Sequence, residues 1–273
     1  MSYWGDLEKF GSAKALTLPS GKSIFYNDLA RDADALSHGL KARRLVFLLC
    51  RNTHASVVGY LGFLRAGVVP LLLNSAIHPE LLSELIDTYE PEYLYLPNDI
   101  LVPGGFAKEL GGFDDYSLFE AASSSGSDTH PDLALAIPTS GSTGSPKLVR
   151  LSHKNLQSNA HSIAEYLHIS ADDCPITTMP MNYSYGLSIL NSHLLKGASI
   201  VLTDAPLIER SFWDLVGAQQ VTTFGGVPFI YKMLERLRFE KMELPHLRYL
   251  TQAGGKFNLQ SRAEMAEICK AKG

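Results

Sequence analysis

The sequence contains few cysteines and no long hydrophobic run, and both features narrow the class of protein. Among its 273 residues are three cysteines, Cys50, Cys174 and Cys269. Their odd number and wide spacing predict neither a disulfide framework nor a cysteine metal site. The apolar runs at 45–50 and 68–73 are far shorter than the roughly 20 residues that cross a bilayer. We therefore expect no membrane span and a reducing, cytoplasmic compartment.

The chain also lacks a clustered excess of positive charge. It has 24 Lys and Arg against 28 Asp and Glu, a formal net charge of −4. Nucleic-acid binding would call for a basic patch, so we expect no such partner. The N-terminus, Met1–Asp6, has no basic and apolar signal region. No His or carboxylate cluster has a metal-binding spacing, so no metal ligands are predicted. A hydrophobic content of 45% fits a globular enzyme.

The stretch Thr139–Lys147, with the sequence TSGSTGSPK, is the most informative part of the chain. Its glycines let the backbone approach a ligand closely and turn N–H groups towards it. Its Ser and Thr side chains add hydroxyl donors, and Lys147 adds a positive charge. This combination favours a polyphosphate ligand.

A flexible Gly/Ser linker is the alternative interpretation of this stretch. The flanking segments 134–138 and 148–151 are apolar and predict short strands, which indicates a held loop instead. Ser152 is a candidate N-cap for a helix over His153–Tyr166. The glycine spacing excludes a P-loop, and no G-x-S-x-G elbow of a serine hydrolase is present.

The loop resembles the phosphate loop of the adenylate-forming enzymes, which include acyl-CoA synthetases, adenylation domains of peptide synthetases, and luciferases. Their pattern, [ST]-S-G-[ST]-[ST]-G-x-P-K, is matched at every fixed position. The resemblance implies that Lys147 offsets phosphate charge and takes part in catalysis. It also implies an ATP-binding role for the residues Thr139, Ser140, Gly141, Ser142, Thr143 and Gly144.

Strand and helix patterns alternate along most of the chain. Predicted strands at 45–50, 68–73 and 93–96 are separated by predicted helices at 53–66 and 79–89, which favours a parallel sheet. The stretch 97–131 loses this alternation. It resumes later, and the predicted elements include strands at 173–179, 198–202, 221–224 and 247–251, and helices at 186–195, 209–218, 228–237 and 258–270.

The resemblance implies an α/β fold of two packed subdomains with largely parallel sheets and the ligand between them. One subdomain would cover about 45–191. The other would combine 1–44 with 198–273. The whole chain, 1–273, would then be a truncated N-terminal adenylation domain.

Two further segments resemble parts of the family's acyl pocket. Pro180–Gly186 matches a P-[ML]-x-[HYF]-x-x-G segment, which implies that Tyr183, Tyr185 and Gly186 border the acyl group. Tyr183 stands where many members have histidine, and ordinary aromatic packing is the alternative. The segment Thr223–Pro228 implies the same role for Gly226 and Val227. A simple loop before a proline-started helix explains that segment equally well.

The turn Gln252–Phe257 follows a predicted strand and precedes a predicted helix. Nucleotides bind at the carboxyl ends of parallel strands in such sheets. The resemblance implies that Gly254, Gly255 and Lys256 lie along the adenine ring. Lys256 stands where the family usually has a proline.

Other family motifs are missing from this sequence. A Y-G-x-T-E segment, whose Thr and Glu contact the adenylate phosphate and Mg²⁺, should follow the last predicted helix. The ribose-binding aspartate and the C-terminal domain are also missing. We therefore expect the N-terminal part of a longer enzyme, cut either naturally or by design. We expect this part to be inactive alone, because the groups that stabilise transition-state charge are incomplete.

The expected activity of the parent is ATP-dependent activation of a carboxylic acid to an acyl-adenylate. Thioester formation with coenzyme A or with the phosphopantetheine of a carrier protein would follow. Two alternatives stay open. One is adenylation without thiol transfer, and the other is a catalytically silent nucleotide-binding or interaction module. The sequence predicts neither the particular acid nor the oligomeric state.

Overall fold

The computed structural model describes residues 2–123, 128–138, 147–256 and 258–272, the last residue by its backbone alone. The helices are α1 (Tyr26–Ser37), α2 (His54–Ala66), α3 (Pro79–Tyr89), α4 (His153–Tyr166), α5 (Ser184–Lys196), α6 (Arg210–Ala218), α7 (Pro228–Arg236) and α8 (Leu259–Lys272). The strands are β1 (Lys14–Thr17), β2 (Ser23–Phe25), β3 (Leu45–Cys50), β4 (Val69–Asn74), β5 (Tyr93–Pro97), β6 (Lys108–Phe113), β7 (Tyr116–Glu120), β8 (Leu133–Pro138), β9 (Leu148–Ser152), β10 (Ile200–Val201), β11 (Thr223–Gly226) and β12 (Tyr249–Gln252). Short 3₁₀ turns occur at Leu7–Phe10 and Phe239–Lys241.

The larger sheet has seven strands in the order β6-β7-β5-β3-β4-β8-β9. Its four central strands run parallel, as the alternation of strands and helices predicts. Both edges are antiparallel hairpins, β6–β7 and β8–β9. In β3, Val46 and Leu48 enter one apolar cluster, whereas Phe47 and Leu49 enter a second one on the opposite face of the sheet. The predicted α/β fold is confirmed, and its large sheet is parallel at the centre and antiparallel at the edges.

The boundaries of α2 and the start of α4 follow the capping signals of the sequence. The Thr53 hydroxyl accepts a hydrogen bond from the backbone N–H of Ser56 at the start of α2. Gly67 ends that helix in the left-handed conformation, with φ 69°. At α4, Ser152 and Asn155 cap each other's backbone N–H groups, so the predicted start of this helix is confirmed.

Two segments differ from the sequence-based prediction. The stretch 97–131 contains the hairpin of β6 and β7. Strand β6 is mostly exposed, so its residues lack a buried alternating face. A Cβ at Gly112 would collide with the carbonyl oxygen of Tyr116. The predicted strand at 173–179 was wrong, because only Pro175 and Ile176 form isolated bridges. Pro175 has no N–H to donate to a ladder.

The second half of the chain contains a separate parallel pair, β11 and β12. Gly225 lies opposite Thr251 in this pair. Helices α6, α7 and α8 supply an apolar cluster around it, which includes Phe212, Leu234 and Met265. Because the two strands run in the same direction, the turns that follow them meet at one edge.

An ion cluster joins the N-terminal segment to the larger sheet's helices. The Arg65 side chain on α2 is only 11% exposed. Its guanidinium binds both carboxylate oxygens of Asp34 on α1, at 2.7 and 2.8 Å. It also donates to Glu8 at 2.5 Å and to the Trp4 carbonyl at 2.8 Å. The division into subdomains at 45–191 and at 1–44 plus 198–273 stays a proposal.

Asn52, which follows β3, connects three distant segments and is only 8% exposed. Its amide Nδ2 donates to the carbonyls of Met179 and Thr203, and its Oδ1 accepts from the Met181 N–H. The Asn52 backbone N–H donates to the Asp204 carboxylate at 3.1 Å. Asn52 therefore holds the segments 179–181 and 203–204 against the end of β3.

The described residues offer neither a membrane-spanning helix nor a clustered metal site. Over the ranges given above, no helix combines the length and the apolarity that a bilayer crossing needs. The same residues include no group of three or more His, Cys, Asp or Glu that could hold a metal ion. The cysteines are free. Burial raises the pKa of Cys50, and it raises that of Cys174 to about 11, so both thiols stay protonated at neutral pH.

Candidate functional site

A cavity of about 490 Å³ lies between helices α4 and α5 on one side and strands β11 and β12 on the other. Its wall includes Tyr183, Tyr185, His193, Gly225 and Thr251. Small-molecule sites typically have volumes of about 300–1,000 Å³ and mostly apolar walls with a few polar groups. The cavity has this size and character, so it is the candidate binding site.

Tyr185 and Thr251 form a polar contact that joins the two walls of the cavity. The Tyr185 hydroxyl donates to the Thr251 hydroxyl at 2.7 Å. Burial raises the pKa of Tyr185, so its phenol is neutral at physiological pH. A Cβ at Gly225 would lie 2.5 Å from the Tyr185 hydroxyl and 2.8 Å from that of Thr251. Glycine at this position therefore allows the contact.

The turn after β12 is held close to Tyr183. Gly254 has φ 75°, in the left-handed region that favours glycine. A Cβ there would collide with the Tyr183 hydroxyl and lie 3.0 Å from Val227 Cγ1. Tyr183, Val227 and Gly254 are thus in contact distance, although they lie far apart in the sequence. The turn presents bare backbone beside an aromatic ring, a surface suited to a flat ligand.

The rest of this turn is braced by Gln252. Its Nε2 donates to the carbonyls of Ala253 at 3.1 Å and Gly255 at 3.2 Å. A Cβ at Gly255 would meet the Pro228 ring at 3.3 Å. Lys256 is exposed. Gly254 lines the cavity, whereas Gly255 and Lys256 continue the turn beyond the lining residues.

The candidate phosphate loop lies mostly outside the described residues. This applies to the predicted contacts Thr139, Ser140, Gly141, Ser142, Thr143 and Gly144, which stay predictions. The strand residues that flank the loop lie within the described part of the chain. Pro138, the last residue of β8, pairs with Leu148, the first residue of β9. Lys147 is exposed and lies directly before Leu148. The loop therefore connects two paired antiparallel strands, and α4, which lines the cavity, follows β9.

His193 is a polar group in the cavity wall that the sequence analysis did not single out. It is 2% exposed, and its Nδ1 lies 2.8 Å from the Ile189 carbonyl oxygen. A carbonyl oxygen only accepts, so Nδ1 carries the proton. Burial lowers the pKa of His193 to about 4, so the ring is neutral at physiological pH.

The structure brings some of the predicted pocket residues to the cavity and places others nearby. Tyr183 and Tyr185 line it. Val227 contacts the edge of the turn, as described above. Gly226 faces Ile230 instead, since a Cβ there would lie 2.6 Å from Ile230 Cγ2. Alternation along β11 puts Gly225, not Gly226, on the cavity face.

Gly186 packs against backbone, not against the cavity. A Cβ there would collide with the Pro180 carbonyl oxygen and lie 2.8 Å from that of Met179. The helical spacing of α5 could have identified His193, the cavity residue on this helix that the sequence analysis missed. Tyr185, Ile189 and His193 are spaced at i, i+4 and i+8, and so share one face of α5.

Comparison with known proteins identifies the family. The family model described as AMP-binding enzyme matches residues 5–272. The chain belongs to the AMP-binding enzyme family. This confirms the resemblance to adenylate-forming enzymes that the loop sequence indicated.

Relatives within the AMP-binding enzyme family differ in size and described activity. The chain is 23% identical to tyrocidine synthase 3 of Brevibacillus parabrevis, over 78% of this chain and 3% of that protein. It is 26% identical to the oxalate–CoA ligase of Arabidopsis thaliana, over 89% of this chain and 53% of that protein. The chain therefore spans about half of the plant ligase and a small part of the synthase.

A solved structure of similar fold is apo MatB from Rhodopseudomonas palustris. The TM-score is 0.80 at 24% identity, and the match covers 97% of this chain and 57% of MatB. At this identity the likeness supports the fold alone. It agrees with the α/β architecture over nearly the whole chain.

Proposed function

We propose that this chain provides the nucleotide and acid sites of an enzyme that activates a carboxylic acid with ATP. The product of the first step is an acyl-adenylate, and pyrophosphate leaves. The single observation that carries the proposal is the cavity between α5 and the parallel strands β11 and β12. It borders the turn after β12, at the carboxyl ends of parallel strands, where nucleotides typically bind, and the chain belongs to the AMP-binding enzyme family.

The acid would occupy the cavity, with Tyr183 and Tyr185 at its border. The turn at Gly254 and Gly255 would lie along the adenine, because its glycines let a ligand approach the backbone closely. Lys256 follows at the outer edge of the turn. Gly186, Gly226 and Val227 would support this border by close packing.

Lys147 and the loop before it would hold the phosphates of ATP. Their hydroxyl and backbone donors suit an anion, and the lysine charge would stabilise the charge that builds up on the phosphates. Mg²⁺ would accompany the nucleotide, and no residue of this chain is assigned to it. The acceptor in the second step would be the thiol of coenzyme A or of a carrier-protein phosphopantetheine, in the cytoplasm.

The proposal is tested by exchange of radiolabelled pyrophosphate into ATP, measured on the longest natural protein that contains this chain. A panel of carboxylic acids is supplied singly, first without thiol and then with coenzyme A or a phosphopantetheinylated carrier. Acid-dependent exchange followed by thioester formation supports acid–thiol ligation. Exchange without thioester indicates adenylation alone. Calorimetric ATP binding with no exchange for any acid would indicate a silent nucleotide-binding module and contradict the proposal.

A further inference from the structure

The turn after β12 contains two adjacent glycines, Gly254 and Gly255. Glycine restricts its own backbone dihedral angles less than any other residue, so the turn has many conformations available to it. Ordering a flexible segment when a ligand binds costs conformational free energy and lowers the affinity. A turn of this composition therefore binds a flat ligand best if other residues already hold it in shape.

Packing contacts hold the position of this turn. A Cβ at Gly254 would collide with Tyr183 and lie 3.0 Å from Val227, and a Cβ at Gly255 would lie 3.3 Å from the Pro228 ring. Tyr183 and Val227 are the N-cap residues of α5 and α7, so the turn rests against the starts of two helices. Such contacts limit where the turn lies. The directions of its peptide groups are fixed more sharply by hydrogen bonds, which depend on angle.

The side chain of Gln252 supplies those hydrogen bonds. Its Nε2 donates to the Ala253 carbonyl at 3.1 Å and to the Gly255 carbonyl at 3.2 Å. Carbonyl oxygens only accept, so the NH₂ group of the amide faces the turn and its two protons serve two carbonyls. These carbonyls belong to the peptide groups on either side of the Gly254–Gly255 bond. One amide therefore orients both ends of the glycine pair.

Gln252 and its neighbour Thr251 have different roles in the structure. Among the described residues, the side-chain hydrogen bonds of Gln252 go only to the turn. Thr251 instead contacts the Tyr185 hydroxyl across the cavity. Thr251 thus joins the two walls, whereas Gln252, the last residue of β12, shapes the segment that follows the strand.

We propose that Gln252 is a positioning residue for the nucleotide, and that its amide holds the turn 253–255 in the shape that receives the adenine ring. The inference rests on the proposed ATP-dependent function, in which this turn lies along the adenine. Gln252 acts through the turn and not on the reacting atoms. Its loss should therefore weaken all ligands that carry the base by the same factor, and it should leave the maximal rate unchanged.

The first test removes both donors in the natural protein that contains this chain. Gln252→Met keeps an unbranched side chain of similar length. Calorimetry should show that adenosine and ATP both bind roughly three- to tenfold more weakly, the loss typical of one or two partly exposed hydrogen bonds. In pyrophosphate exchange, KM for ATP should rise by the same factor, while KM for pyrophosphate and the maximal rate stay unchanged. Gln260→Met is the matched control, because the Gln260 amide reaches only Glu264 on the surface of α8.

The second test distinguishes hydrogen bonding from a general loosening of the fold. In Gln252→Glu, the ionised carboxylate has no proton to donate and faces two carbonyl oxygens, whereas the protonated acid can donate to one of them. The adenosine affinity of this variant, divided by that of the wild type, should recover as the pH falls from about 7 to about 5, towards the range in which glutamate side chains are protonated. Adenosine is the probe because it has no phosphate that titrates in this range. Urea unfolding of each variant checks that it is folded.

The outcomes separate this inference from the proposed function. An adenosine affinity in Gln252→Met equal to that of the wild type would overturn the inference and leave ATP-dependent acid activation standing. The same holds for an affinity ratio in Gln252→Glu that does not change with pH, and for a loss that extends equally to pyrophosphate. If the wild-type protein binds neither adenosine nor ATP, both the inference and the proposed nucleotide site are overturned.

Discussion

The hydroxyl of Tyr185 lies 2.7 Å from the hydroxyl of Thr251, so the first turn of α5 is tied directly to the middle of β12. These two elements are opposite walls of the cavity. The contact is made possible by Gly225, which leaves no side chain between the walls. The width of the cavity at this contact therefore depends on three residues from three segments of the chain.

Removing either hydroxyl should weaken the fold by a similar amount. We expect Tyr185→Phe and Thr251→Val each to lower the free energy of unfolding by about 1 kcal/mol, because each leaves its partner without this bond. In a double-mutant cycle, the coupling energy should be about 0.5–1.5 kcal/mol, measured by urea denaturation. Thr251→Ser keeps the hydroxyl and is the matched control. A coupling energy near zero would contradict the bond.

Adding a methyl group at Gly225 should narrow the cavity. We expect Gly225→Ala to cost about 1–3 kcal/mol of stability, since its Cβ would overlap the Tyr185 and Thr251 hydroxyls. Acid affinity should fall as well, by roughly tenfold if the clash costs about 1.4 kcal/mol on binding. Gly217→Ala on α6 is the control, because a Cβ there meets nothing within 4 Å. It should be neutral or stabilise by up to about 1 kcal/mol. Equal effects of the two substitutions would refute this.

His193 should make stability fall on mild acidification. Its pKa is lowered from 6.5 to about 4 in the folded state. Between these values the unfolded chain binds a proton that the folded chain does not, so stability is full above pH 6.5 and declines towards pH 4. The loss from this group is on the order of 3 kcal/mol. His193→Gln should flatten the curve of unfolding free energy against pH in that window. An unchanged slope in the variant would exclude His193 as the cause.

The Arg65 cluster should contribute far more stability than an exposed ion pair. We expect Arg65→Met to cost about 2 kcal/mol, since hydrogen bonds to Asp34, Glu8 and the Trp4 carbonyl are lost together. Arg31→Met is the control: Arg31 also contacts two carboxylates on α1, but it is exposed, and we expect no measurable change. Thermal and urea unfolding of both variants test the contrast. Similar losses for both would show that burial of Arg65 is unimportant.

Lys147 should matter for the first half-reaction. In the natural protein that contains this chain, we expect Lys147→Ala to slow acid-dependent pyrophosphate exchange by roughly 10²-fold or more, as loss of one charge-stabilising group typically does. Lys22→Ala, an exposed lysine in the turn between β1 and β2, should leave exchange unchanged. Exchange at the wild-type rate in the Lys147 variant would count against its assigned role.

Local signals predicted the parts of the fold that depend on neighbouring residues. The Thr53 cap and Gly67 define α2, and the Ser152 cap defines the start of α4. Each is a contact between residues within a few positions, so it is readable from the sequence alone. Strand β6 lacks a buried alternating face, and its place in the sheet comes from pairing with β7.

The lining of the cavity could be predicted only in part, because it is formed by contacts between segments that are distant in the sequence. Tyr183 and Tyr185 were found because they belong to a recognisable segment. His193 belongs to the same helical face as Tyr185, but which face meets β11 and β12 is decided by packing between segments that are distant along the chain. For the same reason the sequence analysis predicted Gly226 as a pocket residue. In the structure, side-chain positions alternate between the two faces of β11, and Gly225 is the one on the cavity face.

The bonds made by Asn52 have a consequence for how the molecule opens. The Met181 amide donates to the Asn52 side chain, and the Asn52 amide donates to Asp204, so displacing the segment around Asn52 breaks both bonds at once. The same displacement also removes the bonds from the Asn52 side chain to the Met179 and Thr203 carbonyls. Local opening at Asn52 therefore exposes amides of regions that are distant along the chain, and their hydrogen exchange should share this one opening step.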